Sequence, residues 1–321
     1  MTLFTLLIVM ALERVTTKSK RFHIANIAES YFNFFQRLSW LNSENKKFGS
    51  NIFDILLMAG IPALIVLLAI QYLPGLIVFC LYLLVLWICL GCPVTRNTYR
   101  RYMQAANRDD FEACSLYSEK FGVEGGELSS VGKQLVLVNY RQYASVIIFF
   151  VFLGPAGVIF YSLCKEWYLL SKKKHSDVLN NINTSHVDES LEENVNDSNN
   201  NDNVEALSYI VNNDESPFQK EYIQSQTLLS YLDFIPVRLT SFGFLLVGHF
   251  SKGLPIWLGA LLDLKINSYE LLAKVAKASE EPEPYVKPYL QEPLQMVKLV
   301  KRNVLFLIMA ISIMTMVGLL G

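Results

Sequence analysis

Apolar residues gather along this chain into runs of membrane-spanning length, separated by polar segments. Residues 52–70 and 73–90 are nearly free of charge, and only Gln71 and Tyr72 lie between them, which predicts two spans in an antiparallel hairpin. A third run, 146–164, is interrupted by Gly154, Pro155 and Gly157, and a terminal run, 303–321, carries no charge. Residues 1–12 are apolar too, but a helix of that length reaches only about 18 Å of a roughly 30 Å hydrocarbon core. That run is embedded only if it continues past Glu13 and Arg14, which must then face other helices. With no basic region before it and no small-residue cleavage site after it, it does not read as a signal peptide.

The segments between these runs follow other patterns. Residues 18–47 interleave aromatic and basic positions at helical spacing, as expected of a helix lying on an anionic membrane face. A polar part, about 92–145, predicts a cytoplasmic helical region in which 100–116 is one helix carrying the charged cluster Asn107, Arg108, Asp109 and Asp110. In the glycine-rich loop 120–133, Gly126, Gly132 and Lys133 imitate a phosphate loop, but five residues separate the glycines and Gln134 follows the lysine. Asn139 and Arg141 close the next apolar stretch. Residues 175–217 are rich in Asn, Asp and Glu and predict a disordered insertion between membrane parts 1–174 and 218–321. In 280–293, prolines 282, 284, 288 and 293 predict an extended loop.

Composition and charge narrow the class. The 321 residues are 52% hydrophobic and 18% charged, with mean hydropathy +0.30, so the expectation is an all-α, polytopic membrane protein with amphipathic or re-entrant helices. A net charge of −1, with no basic stripe, excludes a nucleic-acid partner. Lys46, Lys47, Arg96, Arg100 and Arg101 flank the hairpin and place its open ends in the cytoplasm. Lys298, Lys301 and Arg302 do the same for the start of the last span. Cys89 and Cys92 form a C-x-x-C pair without the second pair or histidines that zinc requires; no metal site and no cofactor follow from the residues.

Ionisable groups inside the apolar stretch 231–262 are the foremost site candidates. Asp233, Arg238, His249 and Lys252 each need a partner or a polar cavity at that depth. Pro236 places 233–238 at a helix start, with Arg238 within reach of Asp233 or of an anionic ligand. Gly248, Gly253 and Pro255 divide the stretch into two half-helices.

The opening MTLFTLLIVMALERV, the DFIPVRL motif, the GHFSKGLPIWLGALLD run and the uncharged last helix together resemble the AmpE family of inner-membrane proteins of the β-lactamase induction locus. The resemblance implies a bacterial inner-membrane regulator linked to cell-wall recycling, with a bilayer around it and an anionic small molecule or a partner protein as its signal. AmpE is in turn similar to the CobD/CbiB cobamide synthases, whose N-x-x-P-A-R-L segment aligns with Asp233 to Leu239 here. Their GDP and His-Pro motifs are replaced at this point by Glu13 and Arg14, and their Glu-Asn pair by Asn139 alone. An ATP-dependent amide-forming enzyme and a transporter are the alternatives to regulation.

Overall fold

The computed structural model describes residues 2–16, 23–37, 51–123, 130–189, 217–261, 263, 266–280 and 288–318. Every element among them is a helix: α1 (Thr2–Val15), α2 (Ile24–Arg37), α3 (Ile52–Tyr72), α4 (Gly75–Cys89), α5 (Pro93–Asn107), α6 (Phe111–Lys120) and α7 (Val131–Asn139). One turn of π-helix (Tyr140–Ala144) joins α7 to α8 (Ser145–Glu189). There follow α9 (Pro217–Leu232), α10 (Phe234–Val247), α11 (Phe250–Ala260), α12 (Ser268–Ala278) and α13 (Pro288–Met316).

Four stretches are long and apolar enough to cross a membrane: Ile52–Tyr72, Gly75–Asn107, Val131–Val178 and Tyr289–Met316. Helices α9 and α10, bent by 55° at Asp233, make a fifth if the pair counts as one span. The hairpin of α3 and α4 turns its side chains outward, with Leu64 and Ile65 each 59% exposed, as suits helices that face lipid tails. The stretch through α8 is 67% buried against 17% for α3, and α8 packs against α1 to α4, α9 and α10. Its inner residues Phe150, Val158 and Tyr161 join Leu6, Leu86, Val237, Phe244 and Leu299 in one apolar core. Helix α2 is amphipathic as read, yet its apolar face is covered by protein. Phe32 meets Trp167 edge-on at 4.8 Å, and the Tyr31 hydroxyl donates to the Met58 carbonyl at 2.9 Å.

Several boundaries differ from those the sequence suggested. The predicted helix 100–116 is two helices, because Asp109 adopts φ 59° and Asp110 caps α6 by accepting from the Ala113 N–H at 3.0 Å. The insertion 175–217 is helical through Glu189: no Gly or Pro interrupts 175–189, and α9 holds its base by stacking Tyr222 on His175 at 5.1 Å. A Lys174–Glu221 ion pair at 3.8 Å adds to that contact. Residues 190–216 lie outside the described residues, as do 18–22, 38–47, the glycine-rich 124–129 and 281–287. The proline argument against helix in 280–293 fails after residue 287. Pro288 opens α13, where a missing N–H costs nothing, and the Tyr289 carbonyl that Pro293 leaves without its donor accepts from the Tyr102 hydroxyl at 2.9 Å.

Candidate functional site

Where the C-terminal end of α1, the α4–α5 junction, α7, the π-turn and the middle of α13 meet, they enclose a cavity of about 630 Å³. Its polar wall starts from Glu13. This carboxylate is buried, pairs with the Arg96 guanidinium and accepts from the Tyr143 hydroxyl at 2.8 Å. Arg96 also donates to the Tyr143 oxygen at 3.1 Å and to the Glu13 carbonyl at 3.4 Å, so the triad fixes α1, α5 and the π-turn to one another. Gly91 makes room for it. This residue has φ 73°, donates its N–H to the Gln142 carbonyl at 3.1 Å, and lies where a Cβ would overlap the Glu13 carboxylate.

Gln142 donates to Thr95 at 2.9 Å, and Asn139 turns its amide back to the Leu135 carbonyl at 2.8 Å. Arg14, Arg100 and Lys301 complete the charged lining. Four cations against one carboxylate leave a surplus of three positive charges. The rest of the lining includes the apolar residues Leu135, Val297, Val300, Val304 and Leu305.

Behind this cavity, three residues back along the same π-turn, lies a second polar group sealed in the core. Asp233 is 0% exposed; it accepts from the Tyr140 hydroxyl at 2.7 Å and from the Tyr269 hydroxyl at 2.8 Å. The Arg141 guanidinium lies over the rings of Tyr269, at 4.4 Å, and Tyr168, at 5.0 Å. Burial and the Asp233 charge push the Tyr269 phenol up, so it remains a donor. The π-turn is what allows both groups to exist. The Ser145 N–H reaches back five residues to the Tyr140 carbonyl, and the Ser145 hydroxyl donates to the Tyr140 and Arg141 carbonyls at 3.1 and 3.2 Å. Tyr140 and Arg141 thereby face the core while Gln142 and Tyr143 face the cavity.

The candidates taken from sequence are thus dispersed. Glu13, Arg14 and Asn139 line the cavity, while Asp233 and Arg141 share the buried group. Arg238 does not pair with Asp233 and is not available to an anion. Its guanidinium donates to the carbonyls of Leu261 (2.7 Å), Asp263 (2.9 Å), Ala260 (3.1 Å) and Phe234 (3.2 Å), closing the C-terminal end of α11. The carbonyls left unsatisfied at the end of α11 lie beside Arg238, and each Asp233 oxygen accepts a tyrosine hydroxyl instead. Pro236 occupies the first turn of α10; His249 precedes α11 and Lys252 lies in its first turn, both exposed and away from the cavity. Asn107 ends α5, and Arg108 and Asp109 form the turn to α6, where Asp109 accepts from the Tyr289 hydroxyl. Arg96, Arg100, Lys301, Tyr140 and Tyr143 carry the two sites and were not singled out for them. The three cations had a signal, their position at the ends of spans, but it read as topology.

The comparison with known proteins bears on the whole chain. The family described as regulatory signalling modulator protein AmpE matches residues 1–192 and 203–321. The chain belongs to the AmpE family. It is 23% identical, over 335 residues and 99% of each chain, to Protein AmpE of Shigella flexneri. No solved structure matches. The AmpE match is interrupted only inside the polar insertion and takes in both polar sites. As an AmpE-family member with several helices of spanning length, this is a membrane protein with a regulatory role.

Proposed function

We propose that the chain is a multi-pass protein of the bacterial inner membrane that regulates β-lactamase induction in step with cell-wall recycling, by responding to an anionic ligand on its cytoplasmic side. The regulatory part rests on AmpE membership across nearly the full length. The ligand rests on one observation: a cavity of about 630 Å³ whose lining carries four cations and one carboxylate. A cavity of this size falls within the roughly 300–1,000 Å³ range of small-molecule sites. The cytoplasmic placement follows from Arg96, Arg100 and Lys301, which flank spans on the side that basic residues favour.

The test is genetic. Deleting the gene in its host changes β-lactamase activity after β-lactam exposure, and the wild-type chain restores it. A chain with Arg14, Arg100 and Lys301 all changed to Gln reaches the membrane but does not restore it. Unchanged induction in the deletion strain overturns the regulatory role, and full rescue by the triple variant overturns the ligand.

A further inference from the structure

We infer that the cavity takes a phosphate-bearing amphiphile, with its phosphate among Arg14, Arg100 and Lys301 and its hydrocarbon part along α13. This deepens the ligand half of the proposed function and rests on it. Two observations carry the phosphate. Arg96 is already held by Glu13 and Tyr143, whereas no carboxylate among the described residues pairs with Arg14, Arg100 or Lys301. A single carboxylate is matched by one guanidinium fork; three cations from three separate helices suit a group with up to two negative charges and three acceptor oxygens.

The hydrocarbon part follows from the apolar lining. Val297, Val300, Val304 and Leu305 form one face of α13, and beyond Arg302 that helix has no charged residue up to its end at Met316. Lys301 therefore stands at the rim of an apolar track that continues into the uncharged span. Leu305, 57% exposed, is its first step outward. A free phosphate would use the cations and leave this wall without a partner. A neutral amphiphile would use the wall and leave three cations gathered at one rim.

The experiment is a thermal-melt titration of the full chain in a steroid-based neutral detergent, which brings no alkyl chain of its own. The probes are dodecyl phosphate, inorganic phosphate, glucose 6-phosphate and dodecyl maltoside. Ligand stabilisation follows mass action, so dodecyl phosphate raises the melting temperature in a saturable way, with an apparent Kd at least about tenfold below those of both soluble phosphates. Dodecyl maltoside gives no saturable shift. The variant Arg100→Gln/Lys301→Gln, changed only at exposed positions, melts like wild type without ligand and binds dodecyl phosphate at least about tenfold more weakly. Leu305→Ala weakens dodecyl phosphate and leaves inorganic phosphate unchanged.

Equal affinity for dodecyl and soluble phosphates overturns the amphiphile and points to a soluble phosphate. Equal stabilisation by dodecyl maltoside overturns the phosphate, and undiminished binding by the double variant overturns the site. Altered β-lactamase induction in the deletion strain, found together with a negative titration, confines the failure to this inference and leaves the regulatory role standing.

Discussion

Two charges five residues apart in an apolar stretch answer to unlike partners, and each predicts its own mutant. Arg238 binds four carbonyls, and a hydrogen bond from a charged donor contributes about 1.5–3 kcal/mol. Arg238→Ala is therefore expected to destabilise the protein by at least about that much, read as a lower melting temperature in detergent. Arg238→Lys restores little of it, since one ammonium does not span carbonyls spread from Phe234 to Asp263. Neither variant changes binding at the cavity, because Arg238 is no part of its wall. For Asp233 the sensitive partner is Tyr140. Tyr140→Phe keeps the ring and leaves one buried carboxylate oxygen without its donor, at a cost of about 1–3 kcal/mol. Asp233→Ala in the same background then costs less than in wild type, since the two act through one bond. Equal and additive losses would show that the bond contributes nothing.

Helix ends and joints carry the geometry at the next scale up. Gly91 at the α4–α5 joint has φ 73° and no room for a Cβ beside Glu13. Gly91→Ala combines left-handed strain with displacement of the ion pair, so a loss of at least about 1–2 kcal/mol is expected, together with weaker ligand binding. A wild-type melting curve for this variant would mean that Glu13 is free to move. Much of the element pattern was legible: lipid demands contiguous apolar runs, so α3, α4, the first half of α8 and the end of α13 stood out, and the break at Gly248 and His249 is where Gly and Pro suggested. Joints were harder. Nothing local to Asp109 announces a positive φ, and the tolerance of Pro293 depends on Tyr102, far away in sequence. The sites were least legible because helix-face periodicity says which residues share a side of one helix, never which sides meet.

For the whole molecule, the charge pattern and the packing make a joint statement about topology. In a background with all five cysteines replaced, a Tyr72→Cys probe, at the 84% exposed last residue of α3, is expected to react with a membrane-impermeant maleimide added to intact cells. A Glu119→Cys probe in α6 reacts only after permeabilisation. Labelling of Glu119→Cys in intact cells would reverse the orientation and put the cavity outside. Arg96 and Arg100, two of the basic residues that flank the hairpin, also line the cavity, so changing either one bears on orientation and binding together. The π-turn at Tyr140–Ala144 adds a different constraint. Removing one residue from it would restore an ordinary α-helical ladder and turn one flank against the other by about 100°, with a shift of about 1.5 Å. Tyr140 could then keep Asp233, or Tyr143 could keep Glu13, but not both. Part of what this protein needs is thus stored as a count of residues, and a relative can match every side chain around the two polar groups yet be unable to build them if it is one residue short between α7 and α8.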